Sequence, residues 1–332
     1  MIRFKKLYDL FVKYFSVPYF GFIQGHSYLT NENLKELKKY VGSDDVNLER
    51  DFENNFSNIV GKGYSVCFAA GRMGFYALMK TEGVGAGDEV ILQGATCSVM
   101  VNAILRLGAK PVYADIDPNT FGSSAIAIRE VLSSRTKMIV AQHSFGIPCD
   151  IKSIVELAKK NNIFLLEDCA LTLGSTYDGV VCGNFGDAAL FSTDHSKPLN
   201  TLTGGLIYTQ NIELYKELKI IQKQSDSIPK IKQKMLWKQL LFERKYCRPD
   251  RYGSMLLINA LRSMLKLNNH PFLDEDFGSV SSTNTSYPYP AKLPPFLAAL
   301  GLQEIKRWND IVKSRRELLQ KLLKITTIVA KQ

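Results

Sequence analysis

Between residues 64 and 209, short apolar runs alternate with amphipathic stretches of about ten residues, a spacing typical of strands and helices. The segments YSVCFA (64–69), EVILQ (89–93) and IFLLE (163–167) have the length and β-branched or aromatic content of buried strands. Strands that alternate with helices predict a mostly parallel sheet with helices on both faces. Ligands of such sheets bind outside the carboxyl ends of the strands, so we expect the functional residues there.

The composition excludes several protein classes. The chain has 332 residues, 45% hydrophobic and 22% charged, which fits an ordinary globular protein and not a disordered, collagen-like or disulfide-scaffold one. The six cysteines form no C-x-x-C pair, which predicts neither a zinc site nor a disulfide framework but reduced thiols in the cytoplasm. No metal site is expected, because the histidines follow no known ligand spacing: His26, His143, His195 and His270.

The positive charge is concentrated in the C-terminal third. The formal net charge is +10, and residues 221–270 hold eleven Lys or Arg against three Asp or Glu. Residues 301–332 hold eight against three. This uneven distribution predicts a local anionic partner. No nucleic-acid-binding motif accompanies the charge, so we do not expect nucleic-acid binding.

We expect the first 24 residues to form a separate arm. Its apolar residues have helical spacing, but Asp9, Lys13 and Pro18 interrupt the run, so it is too broken to span a bilayer. Two readings stay open for this amphipathic N-terminal arm. It lies in a membrane surface as a peripheral contact, or it docks on the protein body or a partner subunit.

Two residues at strand ends predict chemistry on a cofactor. Lys197 lies in FSTDHSKPLNT, just beyond an apolar strand, where a lysine can reach the neutral state that a Schiff-base nucleophile needs. Asp168 ends the apolar strand NNIFLLED, where a buried carboxylate requires a cation or several donors. The protonated ring nitrogen of pyridoxal phosphate (PLP) is such a cation. The alternative for Asp168 is a residue that caps the next turn.

A third segment predicts an anion site. In AAGRMG (69–74), a strand, a glycine and a helix start place backbone N–H groups where a phosphate can bind. Glycine is common at such junctions, so the segment is a weak signal alone. Ser192 offers a hydroxyl to the same phosphate. His143, at another strand end, either contacts the cofactor or substrate or is a hydrogen-bonded structural histidine.

The order of these elements resembles the DegT/StrS family of nucleotide-sugar aminotransferases, which are PLP enzymes of fold type I. The resemblance runs from about residue 25 to about 318, and GDEVI, PVYADID, LLEDCA and FGDAALFS are specific in combination. It implies that Lys197 forms the Schiff base and that Asp168 pairs with the pyridine nitrogen. The positions that match the family's cofactor-binding residues are Asp168, Gly71, Arg72, Ser192, Thr96 and Lys197.

Several positions depart from the family pattern. Cys97 stands where the family has an aromatic residue that stacks on the cofactor. Leu171 replaces a Gln or His near the cofactor's phenolic oxygen, unless a neighbour such as Thr172 takes over that hydrogen bond. LTGG replaces GEGG, with Thr203 at the acidic position. The G-x-N-x-R stretch, whose asparagine reaches a partner subunit's phosphate, is not intact near residues 290–292.

The resemblance also sets expectations for the domains. We expect an arm (1–24), a large PLP-binding domain (25–222), and a basic helical segment with a remnant of a small C-terminal domain (223–332). That small domain is expected to be truncated, because only about 30 residues follow Leu302. The alternative is a minimal variant, in which the basic segment 221–270 supplies part of the missing pocket surface. The family's sites imply a homodimer.

The leading hypothesis is transamination of a nucleotide-linked keto-sugar to an amino sugar, with L-glutamate as amino donor, in surface polysaccharide or glycoconjugate biosynthesis. Lys230, Lys232 and Lys234 would attract the substrate's diphosphate. One alternative is a PLP-dependent sugar dehydratase, although such relatives tend to replace the lysine with histidine. Another is a catalytically degraded binding or regulatory protein, which the altered positions Cys97 and Leu171 favour.

Overall fold

The structure is a computed structural model. It describes residues 25–248, individual positions between 251 and 265, and residues 287–329, with side chains to 325. The amphipathic arm predicted over residues 1–24 lies outside the described residues, as do residues 279–286. No helix within these described ranges is both long and apolar enough to cross a bilayer.

Strands and helices alternate through the first two thirds of the chain, as the sequence pattern predicts. The strands are β1 (Tyr64–Phe68), β2 (Glu89–Gln93), β3 (Lys110–Ala114), β4 (Thr136–Gln142), β5 (Phe164–Asp168), β6 (Thr176–Tyr177), β7 (Val180–Val181), β8 (Ala188–Ser192), β9 (Gly205–Thr209), β10 (Asp226–Ser227) and β11 (Ala291–Lys292). The helices are α1 (Asn31–Lys39), α2 (Val46–Val60), α3 (Gly71–Thr81), α4 (Ser98–Arg106), α5 (Ala125–Val131), α6 (Ile151–Asn161), α7 (Ile212–Gln224), α8 (Lys230–Tyr246), α9 (Pro295–Lys306) and α10 (Trp308–Val329).

Seven strands form one sheet in the order β1-β9-β8-β5-β4-β2-β3. The pairs from β8 through β5, β4 and β2 to β3 are parallel, whereas β9 runs antiparallel to both β1 and β8. The mostly parallel sheet predicted from the sequence is therefore confirmed. Two small two-stranded sheets, β6-β7 and β10-β11, lie outside it.

The central sheet carries a hydrophobic core on each face. Along β4, Met138 and Val140 pack into one buried cluster, while Ile139 and Ala141 pack into the other. This alternation follows from the two-residue period of a strand. The larger cluster packs α3, α7 and α9 against the sheet, and the smaller one packs α5 and α6 against the opposite face. Helices on both faces, as predicted, therefore enclose the sheet.

Residues 296–325 have the apolar spacing of one long helix, but the structure divides them into two helices. Helix α9 ends at Lys306, Arg307 has φ −97° and ψ 0°, and α10 begins at Trp308. The Arg307 N–H donates to the Glu304 carbonyl 3.0 Å away, a tighter turn than that of an α-helix. Helical periodicity alone could not locate this break, because the apolar spacing continues across it.

Candidate functional site

A cavity of about 350 Å³ lies at the carboxyl ends of β5 and β8, beside the start of α3. Five of the six predicted site residues line it: Gly71, Arg72, Asp168, Ser192 and Lys197. The sixth, Thr96, is partly exposed and is not among the lining residues, whereas the adjacent Cys97 is. The cavity thus lies at the edge of the sheet where the sequence predicts the functional residues.

A hydrogen-bonded loop presents Lys197 to this cavity. Thr193 N donates to the Gly204 carbonyl (2.9 Å), and the Thr193 and Thr201 hydroxyls lie 2.6 Å apart, so the base of the loop is fixed. At its tip, Lys197 N donates to the Asp194 carbonyl (2.9 Å), and the Lys197 side chain is half-buried. The Lys197 side chain therefore lines the cavity and stays accessible to a ligand there.

Asp168 is a buried carboxylate that faces the cavity. Its side chain is 6% exposed, and Ala170 N donates to Oδ1 at 3.0 Å. Burial raises the pKa of Asp168, and the charge of the nearby Lys197 opposes that rise only in part. A buried acid with this environment is suited to a cationic group inside the cavity.

His143 has a structural role next to that acid. Cys149 N donates to His143 Nδ1 (3.1 Å), so the proton lies on Nε2, which donates to Glu167 Oε2 (3.2 Å). Glu167 also accepts three backbone N–H bonds from residues 183–186. His143, Glu167 and Cys169 approach one another closely enough to hold a metal ion, but these hydrogen bonds already occupy the histidine and the carboxylate. Of the two predictions for His143, these contacts agree with the hydrogen-bonded structural histidine.

The start of α3 can accept an anion. Ala70 at its N-cap has no side chain that caps the first N–H groups, and Ala70, Gly71 and Arg72 line the cavity. Gly205 passes so close that a Cβ there would overlap Gly71 Cα and N. Only glycine at this position lets β9 and the helix terminus approach each other. The backbone N–H groups at this helix start are suited to the phosphate group of PLP.

Thr203 and Leu171 have defined places in the structure. The Thr203 hydroxyl is buried and donates to the Ala69 carbonyl (2.6 Å), so it ties β9 to the end of β1. Leu171 lines a second cavity, which the Lys197 loop also borders. The Thr172 hydroxyl is buried and is not among the residues that line either cavity, so its placement does not replace the hydrogen bond that Leu171 lacks.

Helix α8 contributes wall residues that the motifs did not identify. Leu236 and Gln239 line the cofactor-sized cavity. Both residues belong to segment 221–270, from which pocket surface was expected. The helical pattern of that segment did not identify these two positions. Lys230, Lys232 and Lys234, predicted to attract a diphosphate, are not among the lining residues of this cavity.

Comparisons with known proteins agree with this arrangement. Residues 29–246 match the model of the DegT/DnrJ/EryC1/StrS aminotransferase family. The chain is 37% identical over 169 residues to GDP-perosamine synthase of Escherichia coli O157:H7, covering 51% of this chain and 46% of that protein. It is 30% identical over 269 residues to the spore coat polysaccharide biosynthesis protein SpsC of Bacillus subtilis. This match covers 81% of this chain and 59% of SpsC.

The fold has solved counterparts. The PMP-form structure of the putative sugar aminotransferase Spr1654 from Streptococcus pneumoniae superimposes with a TM-score of 0.66 at 20% identity, covering 91% of this chain and 69% of that one. This likeness confirms the PLP fold type I architecture, and PLP is the cofactor that the comparisons support. The chain spans about half the length of the curated relatives it matches. By its sequence match and its fold, the chain belongs to the DegT/DnrJ/EryC1/StrS aminotransferase family.

Proposed function

We propose that the protein is a PLP-dependent aminotransferase that converts a nucleotide-linked keto-sugar to an amino sugar, with L-glutamate as amino donor. One observation carries the proposal. Lys197, the buried Asp168 and the open start of α3 line a single cavity. These are the amine, the acid and the phosphate-binding backbone that PLP requires.

The described residues suggest how the cofactor would be held. The first N–H groups of α3 and the Ser192 hydroxyl would bind the phosphate, and Asp168 would face the ring nitrogen. Leu236 from α8 and Met100 from α4 are apolar lining residues that would limit water on the sides of the ring. When bound, PLP supplies an electron sink for charge that develops at the substrate carbon.

The chain's own groups then move protons. Lys197 Nζ removes the proton from the carbon that bears the donor nitrogen, and later returns a proton to the sugar carbon that receives nitrogen. Asp168 would hold the ring nitrogen in its protonated form, because a buried carboxylate is stabilised by a cationic partner. The hydrogen bonds at the base of the Lys197 loop limit the positions that Nζ can reach.

We also propose a substrate class, a cellular location and an oligomeric state. The substrate class and the role in polysaccharide biosynthesis follow the printed names of relatives such as GDP-perosamine synthase and SpsC. A cytoplasmic location is supported by six free cysteines. A homodimer is carried over from the family resemblance.

Borohydride trapping tests the cofactor part of the proposal directly. The protein is loaded with PLP, reduced with borohydride, digested and analysed by mass spectrometry. We expect the pyridoxyl group on Lys197 and on no other lysine in stoichiometric amount, and we expect the Lys197→Ala variant to carry none. Labelling spread over surface lysines, equal in the two proteins, would contradict the assignment of Lys197.

A further inference from the structure

A second cavity, of about 550 Å³, also borders Lys197. Three parts of the chain form it: residues 25–28 ahead of α1, the Lys197 loop, and the junction of α9 with α10. Because Lys197 lines both cavities, a ligand in the second one lies beside the reacting amine. This cavity is large enough for a substrate portion the size of a nucleotide.

Two arginines give this cavity a positive charge. Arg307 lies over the Tyr28 ring, 3.5 Å from guanidinium carbon to ring centroid, and its Nη1 is 3.4 Å from Glu304 Oε1. Arg315, two turns further along α10, donates to the Pro198 carbonyl of the Lys197 loop (3.3 Å). Glu304 is the one carboxylate among the described residues that line the cavity. The two guanidiniums and Lys197 therefore outnumber the acid.

The Tyr28 hydroxyl adds a neutral donor. Its oxygen is buried, and it has no hydrogen bond of normal geometry within the described part of the chain. Burial and the charge of Glu304 raise the pKa of Tyr28, so the hydroxyl keeps its proton. A buried, protonated hydroxyl next to two guanidiniums is a donor that suits an anionic oxygen in the cavity.

The rim of the cavity carries an exposed aromatic residue. Phe145 is 77% exposed and has φ +55°, a left-handed backbone conformation that is uncommon for a bulky side chain. Such strain persists only where the surrounding structure enforces it. An exposed ring beside a cationic cavity offers a stacking surface for a planar base.

We propose that Arg307, Arg315 and Tyr28 bind the diphosphate of the nucleotide-linked substrate, with Phe145 beside the base. This inference rests on the proposed function and deepens it, since it assigns residues to the substrate's phosphates. It also moves the diphosphate contact from Lys230, Lys232 and Lys234 to the start of α10. Arginine is suited to this task because its planar fork pairs with two phosphate oxygens at once.

Direct binding measurements test the proposal separately from catalysis. UDP, GDP and dTDP are titrated into the PLP-loaded protein by calorimetry, and glutarate serves as a carboxylate probe. Arg315→Gln is the test variant, since Arg315 is exposed on α10 and its loss leaves no buried acid unpaired. Arg316→Gln is the matched control, one residue along the same exposed helix and absent from the cavity lining.

We expect at least one nucleoside diphosphate to bind, Arg315→Gln to weaken that binding about 10-fold or more, and Arg316→Gln to change it less than 2-fold. Tyr28→Phe should weaken it by about 3- to 10-fold, because it removes one donor and keeps the ring under Arg307. Equal losses in Arg315→Gln and Arg316→Gln would overturn the proposal in favour of a general charge effect.

Two further outcomes would also overturn the proposal. A loss of glutarate affinity in Arg315→Gln, without a loss for the nucleotides, would assign the arginines to the amino donor. Absence of any nucleotide binding, in protein whose PLP is still converted by glutamate, would refute the diphosphate site while leaving the aminotransferase proposal intact. If PLP fails to bind Lys197 but the nucleotides bind through Arg315, the proposed activity fails and the diphosphate site stands.

Discussion

Burial of Asp168 has opposite consequences for folding and for cofactor binding. In the folded chain without cofactor, the carboxylate is 6% exposed and burial raises its pKa. Ionising it therefore costs free energy that the unfolded chain does not lose. The same position is what makes it an effective partner for a cationic ring nitrogen.

The variant Asp168→Asn separates these two effects. The amide keeps an acceptor for Ala170 N but carries no charge, so we expect the cofactor-free protein to be more stable by about 1–2 kcal/mol at pH 8. We expect PLP to bind more weakly and glutamate to convert it more slowly. Urea unfolding and PLP titration measure the two effects. A variant that is both less stable and unaltered in PLP affinity would refute this role.

Gly205 controls the approach of β9 to the start of α3. A methyl group there would overlap Gly71 Cα and N, so Gly205→Ala must push the helix terminus away from the cavity. We expect it to lower PLP affinity by about 10-fold or more, because at least one charge-assisted hydrogen bond to the phosphate would be lost. Gly85→Ala is the control, because a Cβ there meets only a carbonyl oxygen 4.0 Å away. Equal PLP affinity in the two variants would contradict the prediction.

At the scale of elements, α2 holds two buried acids with different environments. Glu53 accepts from Cys67 N (2.9 Å), Gln222 Nε2 (2.7 Å) and Lys219 Nζ (2.8 Å), so its charge is balanced. Burial, and then the charge of Glu53, raises the pKa of Glu49 to about 7. Glu53, which has three hydrogen-bond donors, therefore lies one helical turn from Glu49, whose ionised form is destabilised by burial.

This difference predicts a pH dependence of stability. Glu49 has a higher pKa folded than unfolded, so the folded state binds more protons between about pH 4.5 and 7, and the free energy of unfolding falls as pH rises through that range. The glutamine in Glu49→Gln cannot ionise. We therefore expect the free energy of unfolding of this variant to exceed that of the wild type by about 2–3 kcal/mol at pH 8, and by little at pH 4.5. Urea unfolding at both pH values measures this. Glu36→Gln on exposed α1 is the control, and a gain at pH 8 equal to that of the control would contradict the assignment.

The crossing of α2 with α9 depends on one small residue. A Cβ at Gly301 would overlap the Phe52 ring, and both residues are buried. We expect Gly301→Ala to lower the free energy of unfolding by about 1–3 kcal/mol, although alanine favours helix. The double variant Phe52→Leu, Gly301→Ala should recover part of that loss. A Gly301→Ala protein as stable as the wild type would show that the helices can separate without cost.

At the scale of the whole molecule, sequence periodicity predicted the sheet and the edge at which its ligand site lies. Asp168 was identifiable because it ends an apolar strand, and Lys197 because it lies in the loop after another. The carboxyl ends of parallel strands meet at one edge of the sheet. Leu236 and Gln239 were not, because a helix that reaches the cavity from a distant part of the sequence leaves no local pattern. The role of Arg307 depends on a break between two helices that the apolar period does not show.

The central claim is that this chain, loaded with PLP, removes the amino group of glutamate through Lys197. A single-turnover measurement of 2-oxoglutarate released per PLP-loaded chain, after addition of L-glutamate, tests it most directly. The account predicts roughly one equivalent for the wild type and none above background for Lys197→Ala. A wild-type protein that binds PLP at Lys197 and releases no 2-oxoglutarate would contradict it.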